Sequence, residues 1–172
     1  MSLKGKRVAV LVEEIYEDQE LWYPYYRLLE AGAEVTIVGP KAQTYGSKHG
    51  YPATAERAAS EVSADDFDAV MIPGGYAPDR MRRYESILKL VRGIHEKGGV
   101  VAFICHAGWV PISAGILKGR RVTGVGAIKD DLVNAGATFL DEPVVVDSNL
   151  VSSRTPADLP VFLPAIIEAM GG

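Results

Sequence analysis

The 172-residue sequence has a single cysteine, Cys105, and only three histidines. One thiol cannot close an intrachain disulfide, which agrees with a reducing compartment. No apolar stretch reaches the roughly 18 residues that a membrane span needs. The opening apolar run, Val8 to Val12, is stopped by Glu13 and Glu14 and is too short for a secretory leader. A cytoplasmic protein without a membrane partner is expected. An excess of basic charge is missing too. The net charge is −4 and the pI near 5.4, so nothing supplies the basic face that nucleic-acid binding requires. Arg80, Arg82 and Arg83 cluster, but such a run reads as a solvated helix face. Internal repeats, low-complexity tracts and linkers are also absent, and residues 1–172 are expected to form one domain.

What is present is a regular alternation. Arg7–Val12, Glu34–Val38, Ala69–Ile72, Val100–Ile104 and Val144–Val146 are short apolar, β-branched runs that predict strands, and Leu150–Ser152 is a further pairing candidate. Gln19–Glu30 carries Leu21, Tyr25, Leu28 and Leu29 at helical spacing, with Gly32 as a stop signal. Tyr84–Lys97 repeats the design with Ile87, Leu88, Val91 and Ile94, ending at Gly98-Gly99. Near its end, Thr155 is a candidate cap, Pro156 suits a first helical position and Asp158 suits the positive helix end. Strands apolar on both faces, alternating with helices, predict a doubly wound α/β fold with a mostly parallel sheet and helices on both faces. Ligands of such sheets collect beyond the carboxyl ends of the strands. The loops to inspect are therefore Glu13–Asp18, Pro73–Asp79, Cys105–Trp109 and Val122–Ile128.

Cys105 follows the apolar run Val100–Ile104 at once and precedes a stretch with helical spacing, Trp109–Leu117. It should sit where a buried strand turns sharply into a helix, a position like the nucleophile elbow of hydrolases. Amide N–H groups at such a turn favour a thiolate, so a lowered thiol pKa is expected. The same amides would stabilise an oxyanion formed when sulfur attacks a carbonyl. His106 is the adjacent candidate base or orienter, although neighbouring side chains on a turn need not face each other. His49 and His95 read as exposed structural positions. The first loop, Glu13 to Glu20, is dominated by acidic and amide side chains. That excludes a glycine-rich phosphate cradle, and no nucleotide or other cofactor, and no metal, is expected. Glu17 is the candidate carboxyl for the thiol, with a pKa raised by burial beside it. Pro73-Gly74-Gly75 ends the third strand, and paired glycines let backbone approach another group closely. Gly74 and Gly75 are backbone candidates for an oxyanion hole, the Gly75 N–H acting with that of His106.

Taken in order, several of these motifs resemble the PfpI/ThiJ superfamily, and within it the PfpI-type intracellular proteases. They are Glu17-Asp18-Gln19-Glu20-Leu21-Trp22-Tyr23-Pro24, Gly46-Ser47-Lys48-His49-Gly50-Tyr51, Pro73-Gly74-Gly75-Tyr76-Ala77-Pro78-Asp79, Ile104-Cys105-His106, Ile128-Lys129-Asp130-Asp131, Asn134-Ala135-Gly136 and the Ser152–Leu159 stretch. The resemblance implies a flavodoxin-like sandwich related to class I glutamine amidotransferases. It assigns the nucleophile to Cys105, its histidine to His106 and the thiol-contacting carboxyl to Glu17. It also implies an acidic residue, usually glutamate, reaching that histidine from a neighbouring subunit, and Asp79 falls at that position. A homodimer, or a hexamer built from dimers, is implied with it. Two departures stand out. Val125 takes the place of a tyrosine found near the cysteine in PfpI-type members, and His106-Ala107-Gly108-Trp109 replaces the usual His-Gly-Pro.

Three functions compete at this stage. The first is a cysteine-dependent hydrolase of amide or peptide bonds. The second, implied by relatives, is a glutathione-independent glyoxalase or protein deglycase acting on methylglyoxal or its adducts, where Trp109 would suit a small pocket. The third is a non-catalytic oxidative-stress sensor or chaperone that uses an easily oxidised thiolate. The substrate is accordingly a small molecule or a peptide.

Overall fold

The computed structural model of the chain describes residues 2–172. The apolar runs all enter one seven-stranded sheet. Its strands are β1 (Arg7–Leu11), β2 (Glu34–Gly39), β3 (Arg57–Ala58), β4 (Ala69–Ile72), β5 (Val100–Ile104), β6 (Val144–Asp147) and β7 (Leu150–Ser153). They lie in the order β6-β7-β5-β4-β1-β2-β3. Every neighbouring pair is parallel except β6 and β7, a hairpin at one edge. All residues of β4 and β5 are buried, because helices cover both faces of these central strands.

The helices are α1 (Asp18–Glu30), α2 (Ala77–Met81), α3 (Glu85–Glu96), α4 (Trp109–Ala114), α5 (Lys129–Asn134) and α6 (Leu159–Ala169). α1 packs with α6, while α2 and α3 both pack with α4. α3 buries the stripe read from the sequence, Ile87, Leu88, Val91 and Ile94, together with Leu90, whereas α1 buries Leu21 and Leu28 with Glu20 and Pro24, leaving Tyr25 half-buried and Leu29 exposed. This is the doubly wound, flavodoxin-like arrangement the alternation predicted. After β1 the chain winds outward to β2, then returns to add β4 on the other side of β1. The winding reverses there, and the carboxyl ends of β1, β4 and β5 meet in one crevice.

Some boundaries differ from the sequence reading, for local reasons. The helix after Cys105 ends at Ala114, because Gly115 adopts a left-handed φ of 75° and caps it. Thr155 makes no side-chain cap; Pro156–Asp158 forms a 3-10 turn before α6. Asp158 instead receives the Arg154 guanidinium through two hydrogen bonds, 2.9 and 3.2 Å. His95, read as exposed, is half-buried at the end of α3.

The β6–β7 turn ties the sheet edge to α3. Asn149 Nδ2 donates to the carbonyls of His95 and Gly99 at 3.0 and 2.8 Å. Asn149→Ala strands two half-buried acceptors, and urea unfolding should show a loss of about 1–3 kcal/mol with unchanged m. A shift below a few tenths of a kcal/mol would show that water replaces the amide there.

Candidate active site

The site starts from a strained residue. Cys105 ends β5 with φ at +62°, a left-handed conformation that a cysteine rarely adopts. Such a residue costs on the order of 1–3 kcal/mol and persists only where the surroundings fix it. Here the fixing is visible. β5 is buried on both sides, the Val125 N–H donates to the Cys105 carbonyl at 3.3 Å, and a 3-10 turn, Cys105–Gly108, leads into α4. The strain lifts the half-buried thiol out of the sheet into a cavity of about 230 Å³. Glu17, Glu20, Lys48, Gly75, Tyr76, His106, Trp109 and Pro156 line the rest of it.

His106 does face the sulfur, with Cys105 Sγ 3.3 Å from its Nδ1. Burial, and then the Lys48 charge, hold the imidazole below its ordinary pKa. The ring is therefore neutral near pH 7 and can accept a proton. The backbone amides of His106 and Gly75 lie beside the sulfur and favour its anion. These are the two donors named from the sequence. The Gly74 N–H is not a third, since it donates to Glu20 Oε2 at 2.8 Å.

The carboxyl at the thiol is Glu20, not Glu17. Glu20 is fully buried, interacts with Cys105 and lies one helical turn beyond the residue the sequence reading chose. It belongs to the buried stripe of α1, with Pro24 and Leu28 following at intervals of four. An acid inside an apolar helix stripe was the available signal. Its Oε1 is buried without a hydrogen-bond partner, and the Cys105 thiol stands close enough to influence the carboxyl. Burial above all pushes Glu20 up to about 8, with the Glu17 charge adding to it.

The lowered thiol pKa expected from the turn is also corrected. Burial, and next the Glu20 carboxylate, push Cys105 up to about 12, against the opposing pull of the two amides. The two groups are coupled, because one small space cannot easily hold two negative charges. Below about pH 8 Glu20 keeps its proton, and its repulsion of a thiolate falls away. The resting site therefore holds a neutral thiol beside a neutral acid. His106 is placed to accept the thiol proton, and a protonated Glu20 beside it has a proton to offer the anion.

Glu17 stands at the rim. It is the residue before α1, but its side chain caps no helix amide. Its carboxylate instead pairs with Lys48 Nζ at 3.3 Å and His49 Nε2 at 3.4 Å. Sequence reading missed Lys48 as a cavity residue, and it took His49 for a bystander. Both are brought in by the Gly46–Gly50 loop, which Asp18 fastens by accepting from Ser47 Oγ at 2.6 Å and the His49 N–H at 2.9 Å. Asp79 lies outside this group. It is half-exposed and pairs with Arg83, one turn along the chain. It forms no hydrogen bond or ion pair with His106 among the described residues. Trp109 walls the cavity and is pinned there. Its Nε1 donates to Asp131 at 2.9 Å, and the Arg82 guanidinium stands 5.7 Å from its ring centroid. Val125 serves Cys105 through its amide rather than lining the cavity.

Comparison with known proteins agrees with this geometry. The profile of the DJ-1/PfpI family matches residues 6–169. Deglycase PfpI of Pyrococcus furiosus is 42% identical over 164 residues, spanning 95% of this chain and 99% of its own length. A Bacillus subtilis relative, provisionally named as the cysteine protease YraA, is 40% identical over 159 residues, 92% of this chain and 94% of its own. A crystal structure from Anabaena variabilis, of a two-domain protein with DJ-1/ThiJ/PfpI-like and ferritin-like domains, superposes with a TM-score of 0.94 at 43% identity. It covers 96% of this chain, which corresponds to half of that longer one.

The buried acid has a measurable signature. Its folded pKa of about 8 lies above the ordinary 4.5. The folded chain therefore binds the extra proton, and stability falls as pH rises through that window. The contribution is complete below about pH 4.5 and is lost above about 8. Glu20→Gln removes the titration while keeping the acceptor for Gly74. Urea unfolding at pH 5 and pH 9 should show a decline on the order of a few kcal/mol smaller in the variant. Identical declines would mean that Glu20 is ionised throughout.

Proposed function

The chain belongs to the DJ-1/PfpI family, and from that premise we propose a thiol-dependent enzyme that acts on methylglyoxal and on its adducts with amines. The observation that carries this reading is the joint geometry of nucleophile and space. A thiol with a neutral histidine at 3.3 Å and two amide donors stands in a cavity of about 230 Å³. That is smaller than the roughly 300–1,000 Å³ of sites enclosing drug-sized ligands. With Trp109 held as a wall, it suits a small carbonyl compound.

The chemistry follows from the residues. His106 takes the thiol proton, and the sulfur adds to the aldehyde carbon of methylglyoxal. The new oxyanion is held by the Gly75 and His106 amides and protonated by way of Glu20. With its first proton passed on through Glu20, His106 moves the proton on that carbon to its neighbour while the hydroxyl proton passes to the ketone oxygen, so the aldehyde carbon is oxidised to a thioester as the ketone carbon is reduced to an alcohol. Water then cleaves the thioester, releasing a 2-hydroxy acid and restoring the thiol. For an amine adduct, one earlier step suffices. The carbon–nitrogen bond of the carbinolamine breaks, its hydroxyl proton passes to nitrogen, and the freed aldehyde meets the sulfur. No external oxidant or reductant is required.

Amide or peptide hydrolysis, placed first on sequence grounds, uses the same opening attack. The cysteine–histidine contact and the B. subtilis relative's name favour it, whereas the cavity size and the P. furiosus relative's name favour the carbonyl substrate. Oxidative sensing draws no support from a neutral, partly buried thiol. A homodimer is part of the proposal. It is supported by an apolar shelf along α1, where Trp22, Tyr23, Tyr26 and Tyr51 meet Pro156 and Leu159 beside the cavity.

Parallel assays of methylglyoxal, a methylglyoxal–amine adduct and a peptide amide discriminate these readings. The wild type should consume the first two without glutathione, and Cys105→Ser should lose about a thousand-fold or more in kcat/KM. Turnover of the peptide alone would move the assignment to a peptidase. Equal rates for wild type and Cys105→Ser would remove the thiol from the chemistry.

A further inference from the structure

The proposed reaction uses Cys105, His106, Glu20 and two amides, and leaves Glu17 without a task. Its position is nevertheless tightly built. The Glu17 N–H donates to the Gly74 carbonyl at 3.2 Å, and a Cβ on Gly75 would lie 2.5 Å from the Glu17 nitrogen. The Pro73–Gly75 turn is thus wedged between Glu17 and Cys105, and it fixes one relative to the other. The Glu17 side chain is only 11% exposed, yet it takes no helix-capping role and turns into the cavity that holds the thiol.

The partners of this carboxylate are both surface side chains on one loop. Lys48 and His49 have side chains 44% and 62% exposed, and each reaches one of the two Glu17 oxygens. The other charged and titratable groups facing this end of the cavity are accounted for. Asp18 is engaged by Ser47 and the His49 amide, Glu20 is protonated near neutral pH, and His106 is neutral there. Glu17 is therefore the fixed anion of the cavity. The cation now on it belongs to a long, solvated side chain that returns to water at little cost.

Resting on the reading above, we propose that Glu17 is the specificity residue for cationic adducts. A guanidinium or ammonium group carried by the adduct docks on Glu17 in exchange for Lys48, and its carbinol carbon comes to lie at Cys105. The flat guanidinium matches a carboxylate with both oxygens available, which is the arrangement left when Lys48 and His49 swing out. Lys48 is then a competitor for the same anion. An adduct without a cation gains nothing from the exchange.

The test compares three substrates: methylglyoxal and its adducts with N-acetylargininamide and with N-acetylcysteinamide. Glu17→Gln should raise KM for the arginine adduct at least about ten-fold more than for the other two, with the smaller effect on kcat. Lys48→Met should lower KM for the arginine adduct. In the Cys105→Ala protein, N-acetylargininamide should shift the Trp109 indole proton resonance, and adding Glu17→Gln should abolish that shift. Equal KM changes across all three substrates, or an indole shift that survives Glu17→Gln, would overturn the inference. Wild-type protein that consumes none of the three would end the carbonyl-enzyme reading instead, and the resonance experiment would still decide whether Glu17 captures a guanidinium.

Discussion

The site depends on two missing Cβ atoms. One on Gly74 would collide with Glu20 Oε2 and stand 2.9 Å from the Cys105 Cβ, and Gly75 holds a left-handed φ of 79° against Glu17. No side chain fits there, so three separate segments close on one point: the start of α1, the end of β4 and the end of β5. Glu20 reaches the thiol because the backbone of Gly74 lies against both, and the Gly75 amide reaches the sulfur for the same reason. The strained backbone of Cys105 is tolerable within this closure, because neighbours on every side determine it.

Such closeness governs the charge state. The amides aimed at the sulfur favour an anion, but burial and the neighbouring acid outweigh them at rest. A permanently ionised thiol would be open to oxidation and to unproductive reactions. A neutral thiol beside a neutral histidine keeps both the proton and its acceptor in place. Glu20 keeps its proton near neutral pH, which is unusual for a glutamate and follows from its burial in α1.

The parts legible in the sequence were those governed by short-range pattern. Runs such as Val100–Ile104 announced buried strands, the stripe of α3 announced its packing face, and the abrupt change of pattern at Cys105 announced the elbow. Position on a helix was harder to judge. Glu17 and Glu20 are both acids at the start of α1, and the resemblance was carried onto the first. Helical spacing does not separate them; what does is that Glu20 lies inside α1 and is fully buried, whereas Glu17 is the residue before the helix. The thiol pKa was misjudged in sign because the helix amides are a local feature, whereas desolvation comes from the whole fold. Lys48 and His49 were overlooked since their route to the cavity runs through the Asp18 clasp, some thirty residues away in sequence. Glycine's role at positions 74 and 75 was read correctly as close approach, although the Gly74 amide serves the acid rather than an oxyanion.

The reversal of winding between β1 and β4 has a consequence for how the molecule fails. The reactive group is assembled from the tips of three central strands that pair in parallel across long stretches of chain. Parallel pairing of distant segments forms late and only as the sheet completes. No fragment or half-assembled intermediate can therefore carry a weakened version of the chemistry. Turnover should disappear together with the cooperative sheet, which makes catalysis itself a gauge of whether the whole chain is folded.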